Sequence, residues 1–243
     1  MIKNNLKNYL KSVIYAFGFD VKRFDTATHP LSRKRQLMEK YDINLVLDVG
    51  ANTGQFAQYL RNDIKYFKKI ISFEPLSSAF RMLKENAKGD DMWAVYNYAL
   101  GDKNETQEIN IAGNLASSSL LNMLPLCSKA APEAQYIGKE FVQIRTLDSI
   151  FTDISHGENN LFLKLDVQGF ESKVLKGAVN LLQKIDTIQL EMSFVPLYES
   201  ELLFPAMYKL MKDKGYELVH IEPVFHDRQT GQLLQVDGIF HRL

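Results

Sequence analysis

From residue 43 onward the chain alternates short apolar runs with amphipathic segments. The first apolar run ends in a turn with two glycines, Asp48-Val49-Gly50-Ala51-Asn52-Thr53-Gly54. Leu45-Val46-Leu47-Asp48-Val49 has no alternation of its own, as expected of a strand covered on both faces. Segment 50–54 then reads as a tight turn and 55–62 as a helix. The pattern repeats with strands at 70–73, 93–100, 161–166 and 188–192 and helices at 78–88, 171–182 and 203–214. Gly215 stands where a left-handed cap commonly ends a helix. Repeated strand–helix units specify a doubly wound, mostly parallel sheet with helices on both faces.

The last two strands, 216–221 and 236–241, have only the turn Gln229-Thr230-Gly231 between them, so they form an antiparallel hairpin. The expected sheet has seven strands. The stretch 101–150 departs from the alternation. Strands are expected at 106–111 and 141–146, with a long segment of no clear period, 112–138, between them. That segment contains Ser117-Ser118-Ser119, Pro125 and Pro132. Loops of such length are usually functional or mobile.

Residues 1–40 read as an N-terminal helical extension, and 41–243 as the main domain. Leu6, Tyr9, Leu10, Val13, Ile14 and Phe17 recur at helical spacing with lysines between them. Such a stripe is expected to pack on the main domain. A peripheral membrane anchor or a dimer arm would use the same stripe, and a homo-oligomer stays open. His29-Pro30 and the run Ser32-Arg33-Lys34-Arg35 read as a loop before a second short helix. No apolar run is long enough for a transmembrane segment, and a signal peptide lacks its apolar stretch and cleavage site.

The 29 basic and 29 acidic residues cancel, which removes the strong electrostatic footprint of a nucleic-acid binder. The single cysteine, Cys127, excludes an intrachain disulfide and a multi-cysteine zinc site, and fits a reducing compartment such as the cytoplasm. His29, His156, His220, His226 and His241 show no paired metal-ligand spacing; His220 and His226 near the hairpin are candidate bases, more simply read as surface or satisfied histidines.

Ligands of open α/β sheets bind beyond the carboxyl ends of the strands. The D-x-G-x-N-x-G turn lacks the middle glycine of a dinucleotide fingerprint. Its acid would repel a pyrophosphate and suits a cationic ligand such as S-adenosylmethionine (SAM). Asp48, Gly50, Asn52 and Gly54 are the first candidate cofactor residues. Glu74, ending the second strand, can accept hydrogen bonds from ribose hydroxyls. Asn97 and Ala99, ending the third, lie by topology beside the base. At the end of the fourth strand Lys164 and Asp166 share a face. Glu191 ends the fifth and reaches the same rim if the two strands are neighbours. Lys164, Asp166 and Glu191 are therefore the candidate catalytic residues. Asp166 is also a candidate for the cofactor amine. Asp166 and Glu191 together could hold a divalent cation, and Lys164 with Glu191 could instead form a buried ion pair.

Taken in order, Asp48-Val-Gly-Ala-Asn-Thr-Gly54, Phe73-Glu74-Pro75, Asn97-x-Ala99-Leu100-Gly101-Asp102, Thr146-Leu147-Asp148, Lys164-x-Asp166-Val-x-Gly169-x-Glu171-x-x-Val174-Leu175-Lys176-Gly177-Ala178 and Glu191-x-Ser193-Phe194 resemble the FkbM-type SAM-dependent methyltransferases. The resemblance covers roughly residues 43–243. It implies a class I (Rossmann-like) fold and O-methylation of a hydroxyl, often on a sugar, polysaccharide or natural product. It places Asp48, Gly50, Asn52 and Gly54 around the amino-acid part of SAM and Glu74 on the ribose. Many relatives have Glu where this chain has Gln168. An NAD-dependent oxidoreductase is disfavoured by Asp48 and Asn52; a SAM-binding, non-catalytic partner protein is the other alternative.

Overall fold

The computed structural model describes residues 2–154 and 157–243 in two compact units, Met1–Tyr41 and Asp42–Leu243. His156, one of the histidines considered above, lies outside the described residues.

The first unit holds helices α1 (Ile2–Ala16) and α2 (Pro30–Lys40). Pro30 occupies the first turn of α2, where its fixed φ fits and its missing N–H has no partner to lose. The basic run Arg33-Lys34-Arg35 therefore lies within a helix, not in the loop expected for it.

The second unit begins with β1 (Leu45–Val49), α3 (Gln55–Tyr59) with a π turn at Leu60–Ile64, β2 (Lys69–Phe73), α4 (Ser77–Asn86) and β3 (Trp93–Tyr96). Next come β4 (Ala99–Leu100), β5 (Glu105–Ala112), α5 (Pro125–Ala130), β6 (Tyr136–Arg145) and α6 (Leu147–Ile154). It closes with β7 (Leu161–Leu165), α7 (Glu171–Lys176), β8 (Ile185–Ser193), α8 (Phe204–Asp213), β9 (Glu217–His226) and β10 (Leu233–His241).

Seven strands form one sheet in the order β3-β2-β1-β7-β8-β10-β9. Its first five strands are parallel, and β10 runs antiparallel to both β8 and β9. The sheet order reverses at β1, which lies between β2 and β7; this is the switch point where ligands collect. Every residue of β1 and of β7 is buried, which explains why both are apolar apart from one charged residue each, the paired Asp48 and Lys164. The main core joins Leu45, Leu47, Ile71, Leu163, Leu190 and Phe240 across the sheet.

Further details differ from the sequence reading. The strand expected at 93–100 is broken at Asn97-Tyr98. Its second half, β4, joins β5 and β6 in a separate three-stranded sheet of order β4-β6-β5. The helix expected at 171–182 stops at Lys176. Segment 112–138 is not featureless: Ser119 bridges Asn110, Met123 bridges Tyr198, and α5 follows.

Candidate active site

Four backbone facts shape the turn after β1. The N–H groups of Gly50 and Ala51 both donate to the Phe73 carbonyl, at 3.1 and 3.0 Å, tying the turn to the end of β2. Gly50 has φ 77°, and a Cβ there would stand 1.8 Å from the carbonyl oxygen of Asp166. Only glycine lets β1 and β7 end this close together. Asn52 is also left-handed (φ 49°); its N–H donates to Glu74 Oε2 at 2.8 Å, and its own Oδ1 is buried with no partner. Gly54 starts α3 with φ 93°, and a Cβ there would meet the Trp93 ring at 2.8 Å. The two glycines thus answer different demands, one at the cleft and one in the packing behind it.

Asp48 lies deeper than expected. It is fully buried and does not line the cleft. Trp93 Nε1 donates to Ser72 Oγ (2.9 Å), which donates to Asp48 Oδ2 (3.1 Å). Lys164 Nζ lies 3.3 Å from Asp48 Oδ1 and 3.2 Å from Asp166 Oδ2. A polar string therefore runs through the sheet from β3 to the end of β7. Trp93 belongs to this buried string. Burial alone would lower the Lys164 pKa, but Asp166 and Asp48 outweigh it and hold the ammonium above the usual lysine range. That is the opposite of what a lysine base requires. Nor does Lys164 pair with Glu191; its carboxylate neighbours are Asp48 and Asp166.

Glu74 is a buried acid at 5% exposure, not a surface one. Its two oxygens accept from the Asn52 and Leu76 N–H groups at 2.8 and 2.9 Å. Burial is the larger effect and raises its pKa to about 7, against these hydrogen bonds. Each oxygen keeps a second lone pair for a ligand hydroxyl. Asn97 is exposed and does not line the cleft; its Nδ2 donates to the Glu74 and Pro75 carbonyls at 2.9 and 3.0 Å and so holds the turn that carries Glu74. Ala99 does line the cleft.

Two hollows adjoin at Asp166. The first has an empty volume of about 540 Å³ counting its open mouth, and is lined by Gly50, Asn52, Glu74, Ala99, Ser119 and Asp166 among others. The second, about 790 Å³ counted the same way, is more polar and includes Asn114, Ser117, Asp166, Gln168, Glu191 and Gln235. Ala116 and Asp166 line both.

Gln168 was not among the candidates, yet it joins them. Its Nε2 donates to Asp166 Oδ1 at 2.9 Å and to Glu191 Oε2 at 3.0 Å, while Tyr198 Oη donates to its Oε1 at 2.7 Å. It adopts φ 54°, unfavourable for a side chain with a Cβ, and Ser119 Oγ donates to its carbonyl at 2.7 Å. Gln235 Nε2 adds a second donor to Glu191 Oε2 at 3.1 Å. Burial first, then Asp166, Asp237 and Glu171, push the Glu191 carboxyl well above the usual range. Glu171 was missed too. It is buried, accepts from the Val167 and Gly169 N–H groups at 3.1 and 3.3 Å, and is raised by burial to about 8. Glu171 stood in the motif that runs from Lys164 to Ala178, whereas nothing local in the sequence marked Gln168.

A cation between Asp166 and Glu191 does not fit this arrangement, because an amide N–H₂ already donates to both. Among the described residues no group of three or more His, Cys, Asp or Glu is placed to hold a metal ion. His220 lies 3.4 Å from Glu222, and Thr187 bonds His241 at 2.8 Å; neither histidine, nor His29 or His226, lines the two hollows.

The sheet order, the acid-glycine turn and the buried carboxylate ending β2 define a class I methyltransferase. The chain belongs to the FkbM methyltransferase domain family, which it matches over residues 48–218. It is 28% identical over 189 residues to the 2-O-methyltransferase NoeI of Sinorhizobium fredii (strain NBRC 101917 / NGR234), covering 75% of this chain and 76% of that protein. Among solved structures, the methyltransferase FkbM of Methylobacillus flagellatus KT aligns with TM-score 0.46 and 16% identity over 81% of this chain; the chain spans only 44% of that structure's length. The METTL16 methyltransferase domain aligns with TM-score 0.48 and 9% identity, covering 95% of this chain and 76% of that one.

Proposed function

We propose that this chain transfers a methyl group from SAM to a hydroxyl of a glycan or natural product, with residues 41–243 as the catalytic domain and the cytoplasm as its place of work. The observation that carries the reading is Asp166, which lines both hollows, so that a donor filling the first meets an acceptor in the second. The residues of the first hollow suit SAM. Glu74 offers free lone pairs to the ribose hydroxyls, Ala99 lies where the base would, and Asn52 brings an unpartnered acceptor. Asp166 offers a carboxylate to the amine, while Asp48, Gly54 and Asn97 act behind the cleft as positioning residues.

When bound, SAM supplies an electrophilic methyl on a sulfonium. The chain's own contribution is to hold the acceptor oxygen in line with it, which can account for much of the rate. Glu191 is the base in this reading. Its raised pKa makes it a better proton acceptor than an ordinary carboxylate, and two amides fix its position. Gln168, anchored by Tyr198, keeps Asp166 and Glu191 in register.

The name of the Sinorhizobium relative, a 2-O-methyltransferase, supports oxygen as the acceptor atom. Methyl-labelled SAM incubated with a panel of sugar and polyhydroxylated acceptors should give labelled product, and calorimetry should show binding of SAM and S-adenosylhomocysteine. Tighter binding of NAD than of either would overturn the cofactor assignment. Binding of SAM with no transfer to any acceptor would favour a non-catalytic partner protein.

A further inference from the structure

The N-terminal unit is charged quite differently from the rest of the chain. Residues 1–41 contain nine lysines and arginines against three acids, a net charge of +6, while the whole chain is neutral. No acid occurs before Asp20, and Lys3, Lys7 and Lys11 recur at every fourth residue. α1 is 15 residues long, and exposed apolar side chains lie along its second half and just beyond it. Tyr9, Leu10 and Val13 are 67%, 52% and 38% exposed, and Phe17 and Phe19, just beyond the helix, are 77% and 68% exposed. Tyr9, Val13 and Phe17 are spaced by four, with Leu10 beside them, so they form one stripe. Among the described residues no helix is long and apolar enough to cross a membrane.

We propose that α1 and the residues to Phe19 lie in the interface of an anionic lipid surface, apolar stripe inward and lysines at the headgroups. A short helix with an aromatic-rich apolar face, basic residues and no acids has the composition of an in-plane interfacial helix. A second copy of the chain is the poorer occupant, since it would bring another +6 unit against the first. Lipid phosphates supply the complementary charge. The inference rests on the N-terminal unit alone and does not depend on the methyl-transfer reading.

The test is cosedimentation of the full chain with phosphatidylcholine vesicles and with vesicles containing phosphatidylglycerol. Binding is expected to be at least about tenfold stronger on the anionic vesicles and to fall sharply in about 0.5 M salt. Leu10→Asp with Phe17→Asp, both at exposed positions, should abolish it without changing the circular dichroism spectrum. Absence of binding to either vesicle, or equal binding to both, would overturn the proposal. So would self-association in ultracentrifugation that the double variant removes, which would give the stripe to a second copy.

Discussion

Glu191 and Asp166 share one amide hydrogen-bond donor, yet their surroundings differ: Glu191 is pushed up by burial and by three neighbouring acids, whereas Asp166 faces the Lys164 ammonium. A base must be deprotonated to work, so turnover should rise with pH through the raised Glu191 pKa. Glu191→Gln should lower turnover by about 10²–10⁴ and flatten that acid limb, with SAM affinity retained in calorimetry. Asp166→Asn should also slow transfer. Wild-type rates in both variants would leave proximity alone as the source of catalysis. Glu74→Ala should weaken SAM binding by about 1–3 kcal/mol, and it should also lower the melting temperature, because the Asn52 and Leu76 N–H groups lose their acceptor. An unchanged dissociation constant in a folded variant would remove Glu74 from the site.

At the scale of elements, the parallel core was legible because β1 and β7 are buried throughout and carry the signature of that burial in their composition. The hairpin was legible from the missing helix between its strands. The break at Asn97-Tyr98 was not, since both halves are apolar and only the second sheet decides where the chain turns. Glu74 and Glu191 could be placed from their positions at strand ends. Gln168 could not, because its role depends on partners 2, 23 and 30 residues away along the chain. Segment 112–138 also needed the structure. It lines both hollows, with Ser118 and Ser119 on one side and Asn114 and Ser117 on the other. Hydrogen exchange of its amides should slow when S-adenosylhomocysteine binds; equal exchange with and without ligand would make it a passive connection.

Across the whole molecule, buried acids set how stability varies with pH. Burial raises Glu74 to about 7 and Glu171 to about 8 from 4.5, and Glu191 shifts the same way. The unfolded chain gives up these protons near pH 4.5, while the folded chain keeps them until pH 7–8. Their contribution is therefore fully present below the unfolded value and is lost as pH rises through the folded values. Asp90, held low by Arg61, acts in the opposite sense and only at more acid pH. Thermal melts of the ligand-free protein should peak near pH 5, about one unit above the ordinary carboxylate range, and decline toward pH 8. Glu171→Gln should flatten that decline, and a melting temperature that climbs from pH 5 to 8 would contradict it.

The position of β10 has a consequence for how the protein is made. β10 is synthesised after β9 but lies between β8 and β9, and Leu234, Val236, Ile239 and Phe240 are almost fully buried. A ribosome-bound chain that has exposed everything through β9 still has an open edge at β8 and no neighbour for β9. The sheet can close only once the later strand slides into the gap, so the edge of β8 stays open in a nascent chain until β10 has left the exit tunnel.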